Sequence, residues 1–257
     1  MQTTLPNIDL TQLPTRAPDT IDKKEAEKEM EGIREELVEW QEKLYAENKR
    51  SILVVLQGMD ASGKDGLIRR VFSGINPQGV RVFSFKEPTE RELAHDFLWR
   101  IHRRTPARGM IHVFNRSQYE DVLITRVIGL INDATAEQRF TAINNFEQLL
   151  QQNGTTVLKF YLNVSEKEQQ ERLQERVDDP DKQWKYEAND INKAKQWPAY
   201  RGVYEDMFRQ CSPPDCPWHI IPADQNWYKA YMVAKTLRDT LKAMNPTYPA
   251  SKLERQK

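Results

Sequence analysis

Cysteine is scarce in this 257-residue chain, net charge is absent, and no apolar run is long. The two cysteines, Cys211 and Cys216, sit in a turn with Pro213, Pro214 and Pro217. No second pair completes a zinc site, and the simple reading is a reduced, cytoplasmic protein. No apolar stretch approaches membrane-spanning length. Met1 to Asp22 lack both a basic start and an apolar block, so no secretory leader is expected. Lys plus Arg and Asp plus Glu each number 38. Global charge therefore makes no case for nucleic acid or a membrane surface as partner. Hydrophobic residues are 39 % and charged residues 30 %. One large α/β domain with appendages and a heavily charged surface is expected.

What is present is one strong signal. The apolar run Ile52-Leu53-Val54-Val55-Leu56 leads into Gly58-Met59-Asp60-Ala61-Ser62-Gly63-Lys64-Asp65-Gly66. A buried strand, a glycine-rich turn and a helix are the context a phosphate-binding loop needs. Backbone N–H groups can approach phosphate oxygens there, and Lys64 adds a cation. The pattern departs at its end, where Asp65 replaces the usual Ser or Thr that would hold Mg2+. Asp60 adds a carboxylate inside the loop, although Asp is also an ordinary turn residue.

Periodicity organises the rest. Residues 1–20 read as an irregular arm. From about Asp22 to Lys49 the chain is helical, with Met30, Ile33, Leu37, Trp40 and Leu44 on one apolar stripe for the core or a partner subunit. Further strands are expected at Val80–Phe85, Met110–Phe114, Thr156–Leu162 and Pro217–Pro222. A helix is expected from Glu90 to Arg103, with Leu93, Phe97, Leu98 and Ile101 facing in. Helices are expected to fill the other gaps, closing with Trp227 to Ala243 before a frayed tail. Alternation of strand and helix predicts a parallel sheet covered on both faces, with ligands at the carboxyl strand ends. The domains read as an arm and helix over 1–50, a core over 51–245 and a tail over 246–257. The core includes a helical lid at about 166–207.

Three strand ends converge in such a sheet. They carry Asp60 with Lys64, Lys86-Glu87-Pro88, and Asn115-Arg116-Ser117-Gln118-Tyr119-Glu120-Asp121. Phosphoryl transfer needs positioned reactants, cations on the non-bridging oxygens and carboxylate-held metal. Lys64, Lys86 and Arg116 supply cations, and Asp60, Glu120 and Asp121 could hold Mg2+. An acidic first helical turn would equally explain Glu120 and Asp121. From Lys64 to Arg126 there are twelve basic and seven acidic residues, consistent with a polyanionic ligand. Arg103, Arg104 and Arg108 could line a path for an extended anion or simply solvate a helix end. Arg172 and Arg176 read either as lid arginines or as surface partners of Glu168 and Glu171.

Together these segments resemble the polyphosphate kinase 2 family. The resemblance rests on Gly58 to Gly66, Phe83 to Thr89, Phe114 to Val122, Trp184-Lys185-Tyr186 with Asp190, and Pro217 to Asp224, in that order. It implies a P-loop kinase-like three-layer fold with a parallel sheet, a helical lid and an N-terminal helical extension. It also implies reversible, Mg2+-dependent transfer between inorganic polyphosphate and a nucleotide, with Mn2+ as the alternative ion. Many members carry Asp-Arg-Ser-Trp-Tyr-Asn-Arg at the second motif. Asn115 and Glu120-Asp121 here resemble class III members, which phosphorylate both AMP and ADP. GMP and GDP are further candidate acceptors.

By position, the resemblance makes Asp60, Lys64, Arg116, Asp121 and Arg176 the catalytic set, with Asp60 and Asp121 on the metal. It places Gly58, Ala61, Ser62, Gly63, Asp65, Gly66, Lys86, Arg103, Arg104, Asn115, Glu120, Arg126 and Lys185 on phosphate or nucleotide. A homodimer or homotetramer is the implied assembly. Asn226 departs from the Lys of many relatives. The competing readings are an ATP-dependent nucleoside monophosphate kinase of thymidylate kinase type, a non-enzymatic nucleotide or polyphosphate sensor, and an ADP-only member of the same family.

Overall fold

An apolar run rich in β-branched residues suits a strand buried on both faces. In the computed structural model, which describes residues 8–181, 183–185 and 196–250, that run becomes β1 (Ser51–Gln57). It is buried along its whole length at the centre of a five-stranded sheet. The partners are β2 (Val80–Ser84), β3 (Ile111–Asn115), β4 (Thr155–Asn163) and β5 (Trp218–Pro222), in the order β2-β3-β1-β4-β5. Every neighbouring pair is parallel, with Val54 between Val113 and Leu158.

Successive side chains of β1 point to opposite faces and so feed two cores. Ile52, Val54 and Leu56 join α1 (Lys23–Glu47), α2 (Lys64–Val71) and α9 (Asn226–Met244). Leu53 and Val55 join α5 (Glu120–Val127), α6 (Asp133–Gln152) and α8 (Trp197–Gln210). The expected three-layer fold forms.

The Asp22 side chain caps α1 by accepting from the Glu25 N–H at 3.0 Å, and Asn48 ends the helix in the left-handed region. Met30, Ile33, Leu37 and Leu44 are buried, and the stripe packs on α9 of the same chain. Trp40 is half-buried.

The single helix expected over 90–103 does not form. It splits into α3 (Glu90–Leu93) and α4 (Trp99–His102). The Asp96 carboxylate accepts from the Leu98 N–H at 3.0 Å, a local bond that competes with helix continuation. Ile101 is buried, Phe97 and Leu98 are half-buried, and Leu93 is 68 % exposed, so Leu93 does not face in.

The arm is irregular from Ile8 but firmly placed. The Leu10 N–H donates to Glu205 on α8 at 3.0 Å. The Thr15 hydroxyl donates to Asp224 at 2.9 Å, and the Ala17 N–H to Gln225 at 2.8 Å. The arm thereby joins α8 to the turn after β5. Among the described residues no helix is long and apolar enough to cross a membrane.

Candidate active site

β1 delivers the loop, and the loop must bend sharply to start α2. Gly63 sits at φ +90° and Gly58 at φ +150°. The backbone there demands glycine, and a Cβ on Gly63 would come within 2.3 Å of the Lys229 Nζ, which would have to shift. Ala61 adopts φ +61° without that freedom, and Arg116 does the same at φ +63° after β3. Each such residue costs about 1–2 kcal/mol, strain that concentrates at functional sites.

Lys64 is buried and folded over the loop. Its ammonium donates to the Gly58 carbonyl at 2.7 Å and the Met59 carbonyl at 3.1 Å. Burial, then the Arg116 charge, lowers its pKa to about 8. Arg116 reaches across from β3 to pair with Asp60, and its other nitrogen lies 3.8 Å from Glu120. One guanidinium thus gathers carboxylates from two strand ends. Gln57, buried at the end of β1, sets its amide between Glu120 Oε1 and the Ser117 hydroxyl, 2.9 Å from each; both are satisfied when the amide is assigned with its nitrogen toward Glu120. Asn115 donates to Asp65 at 2.6 Å, so one departure from each of the two common motifs is bonded to the other.

Asp121 turns toward a different cation. Its Oδ2 lies 3.6 Å from Arg100 Nη2, and among the described residues it makes no hydrogen bond. Burial raises the Asp121 pKa, against the lowering effect of Arg100 and Arg139. Buried Arg100 also donates to the Lys86 carbonyl at 2.8 Å, tying the end of β2 to α5. The Lys86 side chain itself is exposed. Arg103 stacks on Trp99 at 4.6 Å and Arg104 on Phe83 at 5.2 Å, both on the exposed face near β2. Arg126 bonds Asp206 of α8 at 2.9 Å and Asp133 of α6 at 2.7 Å.

Among the described residues, the region expected as a lid contains α7 (Glu166–Asp178), a 3-10 turn (Gln183–Lys185) and α8. Tyr186 and Asp190 lie outside the described residues. α7 begins as a wall of the loop: the Gln169 amide donates to the Asp60 carbonyl at 2.9 Å. Arg172 donates to the Ala61 and Ser62 carbonyls at 3.1 Å each while its Nε pairs with Glu168 at 2.9 Å, so it keeps the expected Glu168 partner and also braces the loop from a largely buried position. Arg176 follows one turn later, half-buried. From α8, Tyr200 contributes a buried hydroxyl that has no hydrogen-bond partner among the described residues. Burial, then the charges of Asp60 and Glu120, pushes its pKa up to about 12.

Sequence reasoning did not reach Arg100, Gln57, Tyr200 or Lys229. Each lies outside a glycine-rich or charged motif, and only packing aims it inward. Together the site offers backbone donors, convergent cations and carboxylates, the requirements of phosphoryl transfer.

Comparison with known proteins bears on that chemistry. Residues 20–249 match the family described as "Polyphosphate kinase 2 (PPK2)". The chain is 49 % identical to the "AMP/ADP-polyphosphate phosphotransferase" of Meiothermus ruber, over 81 % of this chain and 78 % of that one. It is 41 % identical to the "ADP-polyphosphate phosphotransferase" of Rhodopseudomonas palustris, over 97 % and 91 %. The crystal structure of Polyphosphate Kinase 2 from Arthrobacter aurescens TC1 matches with a TM-score of 0.93 at 39 % identity, covering 97 % of this chain and 90 % of that one.

Proposed function

This chain belongs to the polyphosphate kinase 2 family, and we propose that it transfers the terminal phosphoryl group of inorganic polyphosphate to AMP and ADP, reversibly and with Mg2+. The observation that carries the reading is Arg116, held in a strained backbone between Asp60 and Glu120 beside the phosphate loop. That arrangement supports the reading, because phosphoryl transfer calls for a cation to meet the negative charge gathering on the equatorial oxygens.

The acceptor phosphate attacks the terminal phosphorus in line, and no covalent intermediate on the protein is needed. Loop N–H groups and Lys64 take the donor phosphates, and Arg116 bridges donor and acceptor. The Tyr200 hydroxyl supplies a further donor from α8. Asp60 and Asp121 are the proposed Mg2+ carboxylates. Such an ion needs only one or two of them beside phosphate oxygens, and Asp121 Oδ2 is a buried oxygen without a hydrogen bond among the described residues. The ion would neutralise charge on the reacting phosphates. Acceptance of AMP as well as ADP is supported by the Meiothermus ruber relative's name and by Asn115 and Glu120-Asp121.

The experiment is incubation with AMP, Mg2+ and long-chain polyphosphate, without ATP, followed by chromatography. ADP and then ATP is the expected sequence of products, and GMP and GDP are tested alongside. ATP from ADP with no product from AMP rejects the dual acceptor. Product only when ATP is the donor makes the protein a nucleoside monophosphate kinase.

A further inference from the structure

Two cations, buried Lys229 and half-buried Arg172, hold carbonyls of the loop, and the proposed chemistry does not use them. Lys229, in the first turn of α9, has no exposed surface. Its ammonium donates to the Ser62 carbonyl at 2.8 Å and the Ala223 carbonyl at 3.4 Å. Arg172 donates through Nη1 to the Ala61 and Ser62 carbonyls, and through Nη2 to the Ala223 and Asp224 carbonyls at 3.0 and 2.7 Å. Its Nε is held by Glu168 at 2.9 Å. The Ser62 carbonyl therefore accepts from both cations.

In a trans peptide the C=O and N–H point in opposite directions. None of the described peptides is cis. Holding the Ser62 carbonyl down against Lys229 turns the Gly63 N–H to the opposite face, where a phosphate would lie. A Cβ built on Gly63 would lie 2.3 Å from the ammonium and would displace it. We infer that Lys229 is a positioning residue for phosphoryl transfer: braced by Arg172, it fixes the Ser62–Gly63 peptide so that its N–H faces the donor phosphates. The inference rests on the phosphoryl-transfer reading of the same loop.

The proton state of Lys229 adds a distinguishing signature. Burial, then the Arg172 charge, lowers its pKa to about 7; Glu168 opposes the shift, and Lys64 and Arg70 add to it. Below that pH an extra positive charge sits under the loop. As pH rises through it, the charge is lost and the clamp weakens to a neutral amine.

The test uses the full chain with Lys229→Met and Lys229→Gln. Calorimetric titration with inorganic tripolyphosphate from pH 6 to 8.5 gives affinity, and AMP phosphorylation gives kcat and KM. The ratio of wild type to variant removes the ligand's own ionisation. Lys229→Met is expected to keep its melting temperature, because it removes a charge that burial penalises. It is expected to weaken tripolyphosphate binding and raise KM by about tenfold at pH 6.5, the loss of one charge-assisted hydrogen bond. The deficit shrinks above pH 7. Lys229→Gln, a neutral donor, recovers part of the affinity and lacks the pH step. Wild-type affinity in Lys229→Met at pH 6.5 overturns the inference. So does an equal deficit at every pH in both variants, which makes the lysine mere packing. A wild type without polyphosphate-dependent product, but with the expected binding pattern, retires the functional reading and keeps the loop assignment.

Discussion

Replacing Glu147 with Gln is expected to be the most costly single change outside the loop. Glu147 on α6 and Lys159 on β4 form an ion pair at 2.7 Å, with side chains only 2 % and 0 % exposed. Burial works against the lysine's charge, and the Glu147 charge and hydrogen bond, with the neighbouring Cys216 and Cys211, together keep the Lys159 pKa above its ordinary value. Lys159 also donates to the Cys211 carbonyl at 2.8 Å, and Glu147 Oε1 accepts from Tyr119 at 2.7 Å and Gln118 at 2.9 Å. Breaking such a pair leaves an uncompensated buried charge, which costs about 3–5 kcal/mol. For a chain of this size that corresponds to a fall of roughly 10 °C in melting temperature. Removing the second charge, as Glu147→Gln with Lys159→Met, should recover about 2 kcal/mol or more, since contacting charges couple.

The pH dependence has a definite sign. In Glu147→Gln the folded-state pKa of Lys159 falls below its unfolded value. The unfolded chain then binds more protons, so stability rises with pH and the deficit shrinks on the alkaline side. The assay is urea unfolding of the four-member mutant cycle at pH 6.5 and 9. Strict additivity of the two substitutions, or a deficit that does not change with pH, would refute the buried-charge reasoning.

Lys64→Ala should lower kcat/KM on the order of 10²-fold or more. With a free-enzyme pKa of about 8, the Lys64 charge is present below that pH and lost above it, so wild-type kcat/KM should fall as pH rises through 8. A pH profile of both proteins checks this, and unchanged kinetics in the variant removes the phosphate loop from the mechanism. Asp121→Asn should lose most turnover and need more Mg2+ to saturate, which a Mg2+ titration of initial rates measures; wild-type behaviour takes Asp121 out of the site. Tyr200→Phe should keep its melting temperature and lose about tenfold in kcat/KM, the worth of one hydrogen bond of about 1–1.5 kcal/mol. Equal rates would leave its buried hydroxyl without a role.

Much of the site was legible because local chemistry constrains it. A strand, a tight turn and a helix cannot occupy Ile52 to Val71 without glycine at Gly63, so the loop declares itself. The convergence of Lys64, Arg116 and Glu120 follows from strand ends meeting in a parallel sheet. Helix boundaries near Asp96 were not legible, since one side-chain hydrogen bond decides whether a helix continues. Arg172 shows the limit most clearly. Its spacing from Arg176 says that both share a helix face, but not that the first turns under the loop.

The sequence by itself determined the sheet's central strand, the phosphate loop and the family, because these depend on short-range order: apolar runs, glycines and motifs in a set succession. Tertiary structure alone decided which charges meet. It paired Asp60 with Arg116, turned Asp121 to Arg100, spent the α1 stripe on α9 and set Lys229 beneath Gly63. Those outcomes depend on how elements far apart in the chain pack, and the cost of burying a charge lets it settle only where a partner waits.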